Sequence, residues 1–195
     1  KLDWITHTED CIPTGIAVDG KGNSYHTGRC SGFKVTLGNL ELLKYQTGHS
    51  ALIVKISPSG QFFKPLLTNG GAAHAKNIVI DYFGSIYVKG GFLNKVDFSE
   101  FFSADSNSNL YIPFVMKLDS DLRIKWFLQM PGVFQVAEYN SALAIDCHGN
   151  LYNMGYFYQS NNTTPVNIGP FPVNARGGSG VDVYLSKLVP AAYGH

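Results

Sequence analysis

Charged residues are scarce in this sequence. Asp, Glu, Lys and Arg make up 15% of its 195 residues and the formal net charge is +1, whereas an average domain is about 25% charged. This balance argues against a nucleic-acid partner, because phosphate backbones are bound by strongly basic surfaces. No run of about 18 apolar residues is present either, so the sequence predicts no membrane span.

Recognised catalytic and metal-binding motifs are also missing. The six histidines recur at no shared offset, and none belongs to an H-E-x-x-H motif or to a Cys/His cluster at zinc spacing. The nucleophile motif G-x-S-x-G is absent, and the glycine-rich residues 177–180 lack the Lys-Ser/Thr of a phosphate-binding loop. We therefore predict no enzymatic activity, no catalytic residue, no cofactor and no bound metal. The histidines are His7, His26, His49, His74, His148 and His195.

Cysteine is limited to three residues, too few to read as a disulfide framework. If residues 14–19 and 24–29 form a hairpin, Cys11 and Cys30 fall close together across its open end. Spacing alone leaves both a disulfide and two free thiols open there. Cys147 is predicted to lie in a turn and is left over in either case.

The sequence does contain a stretch that occurs three times, at residues 15–28, 77–90 and 142–155. Each copy has an aspartate, a glycine at +3, a tyrosine at +6 and a second glycine at +9. The aspartates are 62 and then 65 residues apart, and such self-similarity is the signature of a repeat architecture. In order, the residues are Asp19, Gly22, Tyr25 and Gly28; Asp81, Gly84, Tyr87 and Gly90; and Asp146, Gly149, Tyr152 and Gly155.

Each copy predicts a β-hairpin. A short, wholly apolar run precedes each aspartate, at residues 16–18, 78–80 and 143–145, as is typical of a strand buried on both faces. The aspartate can accept hydrogen bonds from backbone N–H groups of its own turn, and the first glycine supplies a positive φ. We therefore predict that the aspartates cap turns instead of binding calcium, and that the tyrosines pack on the second strand.

A third strand is predicted after each hairpin, and a fourth after the first two hairpins only. The third strand carries a lysine, and the fourth is expected at residues 61–67 and 123–128. Residues 2–6 resemble this fourth strand, and Trp4 and Trp126 share its position. Counted together, these segments predict an all-β chain of twelve strands in one domain, residues 1–195. The repeats are approximately residues 14–76, 77–140 and 141–195, with a strand in residues 1–9 completing a set. The lysines are Lys55, Lys117 and Lys187.

The repeated pattern resembles the SBBP-type β-propeller repeat, whose consensus reads approximately G-I-A-V-D-S-x-G-N-V-Y-V-T-G-x-F, then D-x-F-V-A-K-L-S-x-x-G. Residues 15–28, 52–60 and 181–188 carry the best matches, and the likeness covers nearly the whole chain. It implies four-stranded blades around an axis, with the strand that precedes each aspartate innermost. It implies little about activity, because propellers host many unrelated functions.

Three blades do not make a ring, since propellers typically have 4–8 blades. Three explanations remain open. Two copies of the chain form a six-bladed ring, or the chain is part of a longer one, or an open stack of sheets is capped by partners.

For function, we expect a non-enzymatic interaction or scaffold module, extracellular or at the cell surface, whose partners are other copies of itself or other protein subunits. The alternative is a glycan-binding propeller that uses aromatic and amide-rich variable loops at residues 91–95, 98–102 and 156–162. The competing interpretation of those aromatic residues is that they fill gaps between blades. An enzyme with an axial site is a third, less favoured possibility. Residues 161–163 and 162–164 are glycosylation sequons that matter only in a eukaryotic secretory setting.

Overall fold

The computed structural model describes residues 1–43, 48–107, 110–130, 142–158, 166–168, 171–173 and 181–189. Within these ranges the chain is all-β, as predicted, and no helix there is long and apolar enough to cross a membrane. The strands are β1 (Cys11–Val18), β2 (Ser24–Cys30), β3 (Lys34–Leu37), β4 (Leu40–Leu43), β5 (Ser50–Ile56), β6 (Leu66–Leu67), β7 (Asn69–Ile80), β8 (Ile86–Ser99), β9 (Phe102–Asp105), β10 (Ile112–Leu118), β11 (Ile124–Gln129), β12 (Ala142–Ile145), β13 (Leu151–Tyr158), β14 (Val166–Ile168), β15 (Phe171–Val173) and β16 (Val181–Leu188).

Three antiparallel sheets follow one another along the chain with the same strand order. The first sheet is β1-β2-β5-β6, the second is β7-β8-β10-β11, and the third is β12-β13-β16. In each sheet the hairpin of the repeated stretch supplies the first two strands. The lysine-bearing strand then pairs with the second strand of that hairpin, so that the repeated tyrosine and lysine lie directly opposite each other.

Each sheet has two distinct faces because successive side chains of a strand point to opposite sides. We call one the tyrosine face, since it carries the repeated tyrosine Tyr25, Tyr87 or Tyr152. The other, which we call the reverse face, carries the apolar residue three positions before the repeated aspartate. That residue is Ile16 in the first sheet, Ile78 in the second and Leu143 in the third.

The core is built where the tyrosine face of one sheet packs on the reverse face of the next. Tyr25 and Ile53 of the first sheet share a buried cluster with Ile78 and Met116 of the second. Tyr87 and Val115 on the tyrosine face of the second sheet share another cluster with Leu151 and Tyr184 of the third. The two contacts are therefore of the same kind.

In the first and second sheets, an additional hairpin covers the end of the sheet that lies away from the repeated turn. In the first sheet, Val35 and Leu37 of the β3–β4 hairpin bury Cys30, Leu52 and Val54. In the second sheet, β9 pairs with the far end of β8 and buries a group of phenylalanine rings. These rings are Phe92, Phe98, Phe102, Phe114 and Phe127, with neighbouring centroids 4.9–6.2 Å apart.

The prediction of variable loops at residues 91–95 and 98–102 is wrong for most of these positions. Strand β8 runs through Ser99 and β9 begins at Phe102. The reason is a period-two pattern: Phe92, Val96 and Phe98 lie on one face of β8 and are fully buried there. A buried alternating segment extends a strand instead of ending it.

The strand count of twelve and the strand at residues 2–6 are also wrong. The described residues contain sixteen strands, several of them in the extra hairpins, and residues 1–7 form none. Thr8 makes a single bridge with Leu37, and the Trp4 indole donates to the carbonyl oxygen of Pro58 at 3.0 Å. An extended segment needs a neighbouring strand for its backbone groups, and none of the described strands pairs with residues 2–6.

The fourth strand of the first sheet is shorter than predicted. Instead of residues 61–67, only Leu66–Leu67 forms a strand, with an isolated bridge between Phe62 and Ile56. Pro65 explains part of the loss, because proline has no backbone N–H to donate to a neighbouring strand. In the second sheet, where no proline intervenes, β11 covers Ile124–Gln129.

Candidate interaction surface

The repeated aspartates cap their own hairpin turns. In each turn, one carboxylate oxygen accepts hydrogen bonds from the backbone N–H groups two and four residues further on, at 2.8–2.9 Å. The glycine at +3 adopts φ near 80° in all three turns, a conformation that favours glycine. The residues are Asp19 with Gly22, Asp81 with Gly84, and Asp146 with Gly149.

The second carboxylate oxygen of each aspartate accepts a hydrogen bond from the repeated tyrosine. The hydroxyl-to-carboxylate distances are 3.3 Å for Tyr25, 3.1 Å for Tyr87 and 3.2 Å for Tyr152. A lysine ammonium lies 5.3–5.5 Å from the centroid of the same ring, within the range of a cation–π interaction. These lysines are Lys55, Lys117 and Lys187.

The sequence predicted the turn caps and the packing role of the tyrosines, but neither the tyrosine–aspartate bond nor the lysine–tyrosine contact. The available signal was the constant spacing of six residues between aspartate and tyrosine. That spacing places the hydroxyl beside the turn only when the second strand returns directly along the first.

This Asp–Tyr–Lys constellation stabilises the fold and is poorly suited to acid–base chemistry. The hydrogen bond from the Asn150 side chain, together with backbone donors, lowers the pKa of Asp146 to about 2, and burial raises the pKa of Tyr25. General acids and bases work best with a pKa near the operating pH. These groups instead remain an ionised carboxylate and a neutral phenol at neutral pH.

Cysteine chemistry is divided between a disulfide and one exposed thiol. Cys11 and Cys30 face each other across the open end of the first hairpin and are bonded, with Cα atoms 4.0 Å apart. This decides the alternative that spacing left open. Cys147 is free and exposed, in the turn where it was predicted. Within the described ranges, no group of three or more His, Cys, Asp or Glu side chains is placed to hold a metal ion.

Two aromatic segments proposed for glycan binding, residues 91–95 and 98–102, present one ring to solvent, that of Phe101. The Phe92 and Phe98 rings are fully buried in the second sheet, although Phe101 between them and Phe102 is exposed. In the third segment, residues 156–158 lie in β13, and residues 159–165, with both sequons, lie outside the described residues. The glycine-rich residues 177–180 lie outside them as well.

A buried lysine joins the second and third sheets. Lys89 is 3% exposed, and its ammonium donates to the Asn153 side-chain oxygen at 2.5 Å and to the Met154 carbonyl oxygen at 2.6 Å. Burial lowers the pKa of Lys89 to about 8. Asn153 is itself fully buried and donates to the Ser186 hydroxyl at 3.2 Å.

A buried histidine, His74, lies on β7, the first strand of the second sheet. The His74 and Tyr111 rings are tilted by 43° to each other with centroids 4.8 Å apart, and neither nitrogen of the His74 ring has a hydrogen-bond partner among the described residues. Burial lowers the pKa of His74 to about 3, and nearby basic side chains contribute to the shift. These are Lys76, Arg29 and His49.

An exposed apolar surface lies on the tyrosine face of the third sheet. One position of the lysine-bearing strand, two residues before the lysine, shows this directly. Ile53 and Val115 are fully buried at this position in the first and second sheets, whereas Leu185 is 73% exposed in the third. Val183 and Met154 on the same face are exposed too.

The reverse face of the first sheet is open in the same way. Ile78 of the second sheet is 6% exposed, and Leu143 of the third is partly buried against the core. The equivalent residue of the first sheet, Ile16, is 62% exposed, and Val18 beside it is similarly exposed. The two end sheets therefore each leave one apolar face uncovered.

No family model matches the chain, and no curated protein matches it. The SBBP-type repeat therefore stays a prediction that rests on the repeated residues.

Proposed function

We propose that this chain is a non-enzymatic interaction or scaffold module built from β-propeller repeats of the SBBP type, and that it acts within a larger assembly. The observation that carries the proposal is the pair of apolar faces exposed at the two end sheets, around Leu185 and Ile16. Large exposed apolar patches mark interaction sites, and a repeat unit needs a neighbour or a cap on its open side.

The contacts of the ionisable side chains support a binding role over an enzymatic one. The three repeated aspartates, which lie in the turns of the repeated hairpins, each accept hydrogen bonds from their own turn and from a tyrosine. Lys89, the lysine whose pKa burial lowers, donates both of its hydrogen bonds to another sheet. Groups held in this way stabilise the fold instead of meeting a substrate.

Glycan binding is the second candidate, and one observation favours it. Tyr82 and Phe83 are highly exposed at the tip of the second hairpin, with their rings edge to face 5.6 Å apart. Aromatic faces of this kind can stack on sugar rings. The corresponding positions of the other turns hold Gly20 and Lys21 or Cys147 and His148, so the pair does not recur as a repeated lectin site would.

A location outside the cell or at its surface belongs to the same proposal. The Cys11–Cys30 disulfide supports it, because structural disulfides persist mainly in oxidising compartments. Low charge with many glycines and aromatic residues agrees with this location.

The experiment is to measure molecular mass by light scattering over a range of protein concentrations. The wild type is compared with the double variant Leu185→Glu, Ile16→Glu, and with Phe101→Glu as a control at a residue that is 94% exposed and lies on neither open face. We expect the wild type and the control to associate. The double variant should remain at the monomer mass of 21.3 kDa with an unchanged thermal midpoint.

A wild type that remains monomeric at every concentration would contradict the proposal. Retention of immobilised glycans by that monomer, and loss of this retention in a Tyr82→Ala variant, would establish the glycan-binding candidate in its place.

A further inference from the structure

The two contacts between sheets inside the chain follow one rule. The tyrosine face of the first sheet packs on the reverse face of the second, and the tyrosine face of the second packs on the reverse face of the third. Equivalent residues take part both times. Ile53 and then Val115 come from the tyrosine face, and Ile78 and then Leu143 come from the reverse face.

The faces left open at the two ends are of the two kinds that pack together in those contacts. The third sheet exposes its tyrosine face around Leu185, and the first sheet exposes its reverse face around Ile16. The surface that would cover Leu185, judged from the two contacts already made, is therefore a reverse face like that of the first sheet. One chain carries both surfaces, at opposite ends of its series of sheets.

The β3–β4 hairpin does not block the reverse face of the first sheet. It covers the end of that face that lies away from the repeated turn, around Cys30 and Leu52. The second sheet has the same arrangement, with Phe98 and Ala104 of its own hairpin in the same cluster as Tyr25 of the first sheet. A reverse face thus accommodates its hairpin and a neighbouring sheet together.

Residues 1–7 provide a second complementary feature. In the chain order, β6 directly precedes β7, and β11 precedes β12, so the fourth strand of one sheet leads into the first strand of the next. Residues 1–7 precede β1 in the same way but form no strand, and Leu2 and Ile5 are highly exposed. Among the described strands, β16 pairs with β13 alone, so the third sheet has room for a fourth strand.

A lysine contact indicates how the ends would be aligned. Lys55 on the tyrosine face of the first sheet donates to the Ser120 carbonyl oxygen, which lies in the turn before the fourth strand of the second sheet. Lys187 is the equivalent lysine of the third sheet. The turn equivalent to that of Ser120 is the turn at residues 57–60, which belongs to the first sheet.

We propose that a second copy of this chain covers the open faces, with the reverse face of its first sheet on the tyrosine face of the third sheet and its residues 1–7 beside β16. Because each copy has one open face of each kind, two copies related by a two-fold axis close a ring of six sheets. Lys187 of each copy then donates to the turn at residues 57–60 of the other. This proposal rests on the proposed function and adds the identity and geometry of the partner.

The test uses single variants of the full chain and their mixture. Leu185→Glu places a charge on the tyrosine face, and Ile16→Glu places one on the reverse face. In the ring, every contact uses one face of each kind, so either variant alone should weaken dimerisation at least a hundredfold. Mixing the two variants restores one fully native contact per pair of chains, so a heterodimer should form, detected by light scattering and by co-purification of two different tags.

Several outcomes would contradict the six-sheet ring, and they can be distinguished from outcomes that contradict the proposed interaction module. A dimer that Ile16→Glu leaves intact would be a contact between two identical faces, and the mixture would then show no rescue. Open-ended growth of mass with concentration would be a filament of the same contact. Both results refute the ring and retain the interaction module, whereas a wild type that is monomeric at all concentrations refutes both. Phe101→Glu should dimerise as the wild type does, at twice the 21.3 kDa monomer mass.

Discussion

Lys89 on the second sheet donates a hydrogen bond to the side-chain oxygen of Asn153 on the third, across the interface between the two sheets. Both side chains are buried, and the Tyr184 ring lies 5.9 Å from the ammonium. The lysine is on the tyrosine face of its sheet and the asparagine is on the reverse face of the next. We infer that this contact favours one register of the two otherwise apolar faces, because a slip would leave a buried charge without acceptors.

This pair makes stability depend on pH in the alkaline range. Burial lowers the pKa of Lys89 to about 8 in the folded chain, against about 10.4 when unfolded. Between these values the unfolded chain binds more protons, so the free energy of unfolding rises with pH, by about 2 kcal/mol from pH 7 to 9.5. Chemical denaturation at each pH should show this rise in the wild type and its loss in Lys89→Met.

The control for that experiment is Lys95→Met, which makes the same substitution at an exposed lysine on the same strand. It should retain the rise of the wild type. The scan ends at pH 9.5 because of two buried tyrosines, Tyr25 and Tyr184. Burial raises their pKa in the folded chain, so the free energy of unfolding falls with pH above about pH 10, where the tyrosines of the unfolded chain ionise first. A rise of equal size in Lys89→Met would show that another group is responsible.

Local sequence signals predicted the hairpins well. Asp19 and Gly22 specify a turn by their own hydrogen bonding and backbone preference, so the turn and its two strands can be recognised within about ten residues. The pairing of Tyr25 with Lys55 was not predicted, although the same two residues recur in all copies and pair in each sheet. The repeat supplied, in effect, three observations of one sheet.

Features that depend on distant neighbours were not accessible in this way. The extension of β8 through Phe98 depends on burial beneath β9 and the first sheet, and the contact of Lys89 with Asn153 joins residues 64 apart in the sequence. Residues 2–6 have the alternation of a strand, but no strand in the described part of the chain pairs with them. Periodicity indicates which strands can form, and the presence of a partner decides which of them do form.

The tyrosine–aspartate bond should make a measurable contribution to stability. Tyr87→Phe removes the hydroxyl that donates to Asp81 at 3.1 Å and leaves the ring and the two backbone donors in place. We expect a loss of about 1 kcal/mol in the free energy of unfolding, the usual contribution of one such bond. Tyr82→Phe is the matched control, since Tyr82 is highly exposed, and it should change stability by less than about 0.5 kcal/mol. Equal effects of the two variants would exclude a stabilising role for the bond.

Buried His74 should make the fold sensitive to acid. Its pKa is about 3 when folded and about 6.5 when unfolded, so the unfolded chain binds more protons between these values. Stability is therefore lost as the pH falls through this window, by about 2 to 3 kcal/mol from pH 7 to 4.5. His74→Leu should remove the contribution of His74 to this loss, at little cost at pH 7, because neither ring nitrogen has a hydrogen-bond partner in the described part of the chain.

Exposed His148 provides the comparison for the acid measurement. The free energy of unfolding is measured by urea denaturation at several pH values between 7 and 4.5. His148→Leu should lose as much of it in acid as the wild type does. Burial also lowers the pKa of His26, so part of the loss should persist in His74→Leu. A curve for His74→Leu that coincides with that of the wild type would mean that His74 is not the acid-sensitive group.

The Cys11–Cys30 disulfide should stabilise the first hairpin from its open end. The bond links residues 19 apart, and closing a loop of that size lowers the entropy of the unfolded chain enough to contribute about 3 kcal/mol. The double variant Cys11→Ala, Cys30→Ala should lose about this much stability, whereas Cys147→Ala, at an exposed free thiol, should lose little. Mass spectrometry after alkylation in denaturant should find one modified cysteine without reductant and three with it. Three modified cysteines without reductant would show that the bond is not formed. The double variant should then have nearly the same free energy of unfolding as the wild type, because it would differ only by the replacement of two thiol side chains with methyl groups.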